Sequence, residues 1–316
     1  MENDQQIIHE AAKLLRAGEL VGFPTETVYG LGADARNEIA LAKVFAAKGR
    51  PADHPLIVHI GSIAQLSDWA REIPACALQL AKAFWPGPLT LILKKADGVN
   101  DLITGGQDTV GIRIPKHTVA QQLLNEFGGG IAGPSANRFG RISPTTAAAV
   151  VEELGASVSL VLDGGQCDVG VESTIVDVSS AEPVVLRPGM ISAAAIADVL
   201  KQAVGLEKIN RPRVSGSHDM HYAPRTPAWL VTSETLVHVA QEAASCAVVC
   251  YSDITIPGVQ VVRLSTKPEQ YAHDLYLVLR ELDKQNYSRI LIEVVPSGSA
   301  WEAVRDRLLR ASQGLI

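Results

Sequence analysis

Residues 21–60, "VGFPTETVYGLGADARNEIALAKVFAAKGRPADHPLIVHI", decide the class of fold. The apolar run at 20–24 reads as a strand and breaks at Pro24-Thr25-Glu26-Thr27. Over 37–48 the period changes. Ile39, Ala42, Phe45 and Ala46 fall on one side of a helix, which ends in Lys48-Gly49-Arg50-Pro51. "PLIVHI" at 55–60 is again strand-like. Strand, helix and strand in about forty residues point to an α/β domain.

Working outward, residues 5–17 carry Ile7, Ile8, Ala11, Ala12, Leu14 and Leu15 at helical spacing, with Gly18 as a natural stop. Helical patterns at 62–70 and 73–84 end at Trp85-Pro86-Gly87-Pro88. "LTLILKK" and "TVGIRIP" follow as strands, then a helix at 117–127. The next helix, 144–154, is expected to start with Ser143 as N-cap and Pro144 in its first turn. "SLVLDGG", "STIVDVS" and "PVVLRPG" are strands, before a helix at 192–203. Strands and helices do not alternate strictly, which predicts an α/β domain with a twisted mixed sheet flanked by helices. Residues 205–227, polar and holding three prolines, read as a linker. From 228 to 316 a compact β/α pattern predicts a second, smaller Rossmann-like α/β domain. The expected organisation is a large domain at 1–204, a linker at 205–227 and a small domain at 228–316.

The bulk numbers narrow the function. The chain has 316 residues, 47% hydrophobic and 20% charged, enough for two packed cores. A net charge of −6 argues against a bulk nucleic-acid binder. The four cysteines, Cys76, Cys167, Cys246 and Cys250, contain no C-x-x-C pair, so no zinc ribbon or disulfide framework is expected. The first twenty residues lack the basic and apolar regions of a signal peptide, and no apolar run reaches the ~18 residues of a membrane span. A cytoplasmic protein is the expectation.

Five motifs could carry chemistry. Pro24-Thr25-Glu26-Thr27 with Gly30-Leu31-Gly32 places hydroxyls and glycines at a strand end, where open α/β sheets bind small polar ligands. Alone it is read more economically as a capped strand-to-loop junction. Lys48 and Arg50 could simply complement the helix dipole. Pro51 and Pro55 nevertheless stiffen the loop, and stiffly held cations suit a polyphosphate. Arg113 interrupts an apolar strand, so it has either an internal acidic partner or a ligand carboxylate, and the two readings are even. "GGGIAGPSANRFGRISPTT" joins glycines, Ser135, Asn137, Arg138, Arg141 and Ser143 near an expected helix start, where anions bind. No P-loop and no G-x-G-x-x-G turn is present, so any phosphate cradle is unconventional. Glu172-Ser173-Thr174 and Arg187-Pro188-Gly189 are weak singly, and Asp177 reads as a strand or loop carboxylate rather than a metal ligand.

In order, "FPTETVYGLG", "KGRPADHPL", "VGIRIP", "GPSANRFGRISPT", "ESTIVD" and "LRPG" resemble the YrdC-like family of threonylcarbamoyl-AMP synthases over about residues 7–204. "HYAP" followed by a small domain resembles the family's long, two-domain form. The resemblance implies a twisted mixed sheet around an electropositive cavity. It implies synthesis of L-threonylcarbamoyladenylate and pyrophosphate from L-threonine, bicarbonate or CO2, and ATP with Mg²⁺. Downstream threonylcarbamoyltransferase proteins would then modify tRNA next to the anticodon. Carried over by residue, Lys48, Arg50, Ser135 and Asn137 form the signature expected to hold the phosphates and the metal-nucleotide. Thr27, His59, Arg113, Gly133 and Ser173 are expected near threonine. Thr109, Ser143 and Arg187 are expected on the nucleotide, with Tyr222 folding back over the pocket. His54 stands where many relatives carry Asn. No protein side chain is singled out as a metal ligand.

Two other readings compete with this resemblance. The carbamoyltransferases of hydrogenase maturation carry paired C-x-x-C sites and an acylphosphatase-like segment, and this chain has neither. A double-stranded RNA-binding module would use Lys48, Arg50, Arg138 and Arg141 on phosphates, against the net acidity and the Thr/Ser set.

Overall fold

A computed structural model describes residues 2–205, 211–216 and 221–316. The parts of the expected linker at 206–210 and 217–220 lie outside the described residues.

The first unit is built on a nine-stranded mixed sheet. Its strands are β1 (Val21–Phe23), β2 (Gly30–Asp34), β3 (Ile57–His59), β4 (Leu89–Lys94), β5 (Thr109–Arg113), β6 (Ile131–Ala132), β7 (Leu160–Val161), β8 (Thr174–Asp177) and β9 (Val184–Arg187). Their spatial order is β7-β1-β2-β6-β3-β5-β4-β8-β9. Parallel pairs such as β3–β5 and β4–β8 sit beside antiparallel ones such as β4–β5 and β8–β9, so the sheet is mixed as expected. A second unit carries β10 (Ala228–Val231), β11 (Cys246–Cys250), β12 (Gln260–Arg263) and β13 (Arg289–Glu293), all parallel, in the order β10-β13-β11-β12.

Period-two alternation gives the large sheet two different faces. Val58, Leu91, Ile112, Val176 and Val185 join the main core, together with Leu41, Val44 and Phe45 of helix Glu38–Lys48 and Leu80 of helix Ala75–Phe84. Ile57, Ile92, Ile175, Val184 and Leu186 turn to the other face, where the linker's Val214 packs on them. The functional cavity opens on that second face. His59, Arg113 and Arg187 line it from the carboxyl ends of β3, β5 and β9, and Thr25, Thr27 and Gly133 from just beyond β1 and β6.

Three local expectations are corrected. Gly30 and Gly32, read as room for a ligand, belong to β2, and of the two only Gly30 lines the cavity. A side chain on Gly30 would meet the Phe23 ring at 2.8 Å, and one on Gly32 the Val21 carbonyl at 3.1 Å, so these glycines chiefly let two strands pass closely. The helix expected at 144–154 begins at Ala147, with Thr146 as N-cap accepting from the Ala149 amide. Ser143 turns inward to a buried carboxylate instead, a charge-assisted bond stronger than a cap. Residues 62–70, expected as helix, form a short 3₁₀ segment, Ile63–Asp68.

The two units share a core. Val28, Ile142 and Val171 of the first pack with Tyr222 and with Tyr271, Leu275, Tyr276 and Leu308 of the second. Helix Pro268–Asp283 adds Arg280–Glu153 at 3.1 Å and Asp283–Arg141 at 3.3 Å across the junction.

Candidate active site

The helix Glu38–Lys48 fixes one wall. Asn37 caps its start by accepting from the Ile39 and Ala40 amides. Gly49 ends it in the left-handed region at φ 61, its amide bonded to the Ala46 and Phe45 carbonyls. This sharp stop turns Arg50 inward to 8% exposure. Its guanidinium donates to the Pro55 carbonyl at 2.9 Å and to Ser215 Oγ at 3.1 Å, while Nε has no partner.

Strand register builds the next wall. β3 and β5 pair so that His59 lies beside Arg113 on the cavity face. Arg113 Nη1 donates to Thr27 Oγ1 at 2.9 Å and Nε to the Gly87 carbonyl at 3.2 Å. Nη2 stands 2.7 Å from Glu26 Oε1, off the N–H axis, so both atoms remain without a hydrogen-bond partner. Of the two readings of Arg113, the internal acidic partner is present: Glu26 pairs with it at 2.7 Å. Phe23 and His59 meet edge to face at 5.6 Å above Gly133. Burial, with Arg113 nearby, pushes the His59 pKa down to about 3, so the ring is neutral and its Nδ1 is unpaired.

The far wall comes from β8 and β9. Ser173 Oγ bonds Thr90 Oγ1 at 2.8 Å. Arg187 donates through Nε and Nη2 to the Ser173 carbonyl and through Nη1 to the Ser215 carbonyl. Burial lowers the pKa of Arg187, and it lowers that of Arg50 to about 10.

These walls surround a narrow cavity of about 40 Å³, well below the about 300–1,000 Å³ of drug-sized ligand sites. Thr27, Arg50, His59, Arg113 and Gly133 line it, as do Ser135, Ser173, Arg187 and Tyr222. The carryover therefore places nine of the fourteen named residues on one cavity. The other five do not line it. Lys48, 3% exposed, donates to the Ser135 and Asn137 carbonyls, and burial with Arg50 nearby holds its pKa well below the usual lysine value. Asn137 ties the same loop by donating to the Arg138 and Arg141 carbonyls. Ser143 donates to Glu172 Oε1 at 2.6 Å. These three stand one layer behind the wall and set its shape. His54 packs edge to face with Phe139 at 5.1 Å. Thr109 lines a separate small cavity with Gln107 and Arg213, on the other side of the segment ending in Ser215.

The sequence reading missed the lining residues Ser215 and Gly216, and it gave Thr25 of the strand-end motif and His221 of "HYAP" no role of their own. It named Glu172 without a role. The pairing of Glu26 with Arg113 was findable, because an acid in a strand-end motif and a cation inside an apolar strand need each other. Among the described residues, seven buried side-chain atoms lack a hydrogen-bond partner, and five of them line this cavity: Arg50 Nε, His59 Nδ1, Arg113 Nη2, His221 Nδ1 and Tyr222 Oη. Buried polar groups are normally paired, so their convergence marks a place built for a polar ligand. Three guanidiniums face one lining carboxylate, Glu172, which makes the site electropositive. Among the described residues no group of three or more His, Cys, Asp or Glu side chains could hold a metal ion. None of their helices is long and apolar enough to cross a membrane.

Comparison with known proteins bears on the family and the fold. The Sua5–YciO–YrdC family, described as "Telomere recombination", matches residues 13–189, and "Threonylcarbamoyl-AMP synthase, C-terminal domain" matches 191–313. The threonylcarbamoyl-AMP synthase of Pyrococcus abyssi is 40% identical over 96% of this chain and 94% of its own. That of Bacillus subtilis is 40% identical over 99% and 95%. The crystal structure of P. abyssi Sua5 complexed with L-threonine superposes with a TM-score of 0.91 at 38% identity, covering 98% of this chain and 96% of that one. Matched along nearly its whole length in sequence and in fold, the chain belongs to the threonylcarbamoyl-AMP synthase family, in its two-domain form.

Proposed function

We propose that this chain is a nucleotidyltransferase that makes L-threonylcarbamoyladenylate and pyrophosphate from L-threonine, bicarbonate or CO2, and ATP. The observation that carries the reading is the set of five buried side-chain atoms without a hydrogen-bond partner on one electropositive cavity. Arg113 Nη2, beside the Thr27 hydroxyl, suits an amino-acid carboxylate. Arg50 and Arg187, with Tyr222, suit the nucleotide's phosphates. Magnesium enters as part of the nucleotide substrate. The nucleotide's phosphate oxygens would be the hard ligands that such an ion prefers.

In this reading the threonine amine attacks the carbon of CO2, forms a C–N bond and gives up a proton, leaving a carbamate. A carbamate oxygen then attacks the α-phosphorus of ATP, the bond to the bridging oxygen breaks, and pyrophosphate leaves. The chain supplies proximity, worth up to ~7–11 kcal/mol in favourable cases, and fixed positive charge where negative charge develops. His59, neutral with Nδ1 unpaired, can accept a hydrogen bond from the amine. The linker residues Ser215, Gly216, His221 and Tyr222 screen the carbamate and the mixed anhydride from water. We place the reaction in the cytoplasm, with the product passing to tRNA-modifying threonylcarbamoyltransferase proteins.

RNA binding is not favoured. Lys48 and Arg50 are 3% and 8% exposed and cannot reach a duplex backbone, while Arg141 pairs with Asp283 and Arg138 bonds the Glu153 carbonyl. The test is pyrophosphate release from ATP and bicarbonate with labelled threonine. Release is expected only when threonine is present, with label in an adenylate. Release at the same rate without threonine overturns the reading.

A further inference from the structure

Tyr222 has a backbone that a tyrosine rarely adopts, with φ at 62. Such a conformation costs ~1–3 kcal/mol and persists where neighbours over-determine it. Two of those neighbours belong to the small domain. The ring stacks on Tyr276, centroids 5.9 Å apart at 30°, and the Arg307 guanidinium lies 5.2 Å over the same ring. On either side, the His221 amide donates to the Arg310 carbonyl and the Ala223 amide to the Gly140 carbonyl.

The same two side chains hold the cavity's lining carboxylate. Arg307 donates through Nε to Glu172 Oε2 at 2.7 Å and through Nη2 to the Glu172 carbonyl at 3.1 Å. Tyr276 donates to Glu172 Oε2 at 3.1 Å, and Ser143 takes the other oxygen at 2.6 Å. Arg307 is fully buried, and its Nη1 donates to the Pro188 carbonyl, next to Arg187, and to Asp306 Oδ2 at 2.7 Å. Burial opposes the Glu172 charge, but Arg307, Arg187 and the Ser143 hydroxyl outweigh it and hold its pKa below the usual value. A buried arginine on an amphipathic helix, placed between a cavity carboxylate and a strained linker tyrosine, does more than glue two domains.

We propose that Arg307 and Tyr276 of the small domain are positioning residues that latch Glu172 and Tyr222 together, so that the cavity is closed only while the small domain is docked. The second domain is then part of the lid, acting through Tyr222 on the nucleotide side and through Glu172 on the β8 wall. The choice of kinetic readout rests on the proposed synthase reaction; the structural readout does not.

The full-length chain is compared with Arg307→Gln, Arg307→Lys and Tyr276→Phe by backbone hydrogen exchange at 211–216 and 221–226, and by kcat and KM for ATP. Arg307→Gln is expected to speed exchange in both segments and raise KM for ATP at least tenfold, with protection of β11 unchanged. Arg307→Lys restores part of the loss. Tyr276→Phe keeps the stack, removes one hydrogen bond and gives a smaller change in the same direction. Exchange and KM within twofold of the parent in folded Arg307→Gln and Tyr276→Phe overturn the latch. If Arg307→Gln does not fold, Tyr276→Phe decides alone by the same measurements. If the parent releases no pyrophosphate with threonine, the function reading fails while the exchange comparison still judges the latch.

Discussion

A methyl group on Gly133 would stand 2.7 Å from His59 Nδ1 and 2.9 Å from the Phe23 ring, closer than packed atoms allow. The His59 ring must move if that carbon is added, and with it the neutral nitrogen beside Arg113. Gly133→Ala is therefore expected to cost about 1–3 kcal/mol in urea unfolding and to raise the threonine dissociation constant at least tenfold by calorimetry. Unchanged threonine affinity would detach His59 from amino-acid binding. Arg113 was legible in the sequence as a residue needing an acceptor, because its neighbours in "VGIRIP" are apolar. That Glu26 faces it at 2.7 Å depends on a fold no spacing encodes. Lys48 is the opposite case. Its type and place suggested phosphate, yet its ammonium is spent on two loop carbonyls, so it shapes the Ser135–Asn137 loop from behind.

Gly49 sits where the helix must stop so that Arg50 can turn into the cavity. Nothing lies within 4 Å of a side chain placed there, so only the backbone at φ 61 resists substitution. Gly49→Ala should destabilise the chain by about 1 kcal/mol or more through left-handed strain alone, and Gly49→Asn by less, since asparagine tolerates that region. Denaturant midpoints for the pair check this; equal midpoints would show that the strain is relieved elsewhere. The helix stop and the period-two strands were readable because hydrophobic repeat and glycine act locally. β2 and β6 escaped because one is rich in glycine and the other is two residues long, so neither shows an alternation. The displaced helix start at Thr146 escaped for another reason: Ser143 is a good cap by type, and a carboxylate from a distant segment claims it.

Burial of the two histidines sets how the whole molecule responds to acid. His59 and His221 are each pushed down to about 3, by burial above all, from an ordinary 6.5. Below 6.5 the unfolded chain takes up a proton on each that the folded chain refuses. Stability should then fall as pH drops from 6.5 toward 3, by about 1.4 kcal/mol per histidine per pH unit. Glu172, its pKa depressed, adds to the loss once the pH falls below its ordinary 4.5 and through its folded value. Urea titrations at several pH values should show this slope, and His221→Asn should reduce it; a flat profile between pH 6.5 and 5 would mean the rings are solvated. By itself the sequence determined a mixed α/β sheet, a small second domain and the ordered motifs of a threonine- and ATP-directed synthase, because hydrophobic period, turn residues and motif order are properties of neighbours along the chain. Only the tertiary structure decided that the cavity opens on one sheet face and that Lys48, Asn137 and Ser143 stand behind its wall. It alone joined Arg307 to Glu172 across 135 positions, since pairing between buried groups is fixed by three-dimensional packing and desolvation, which sequence distance does not record.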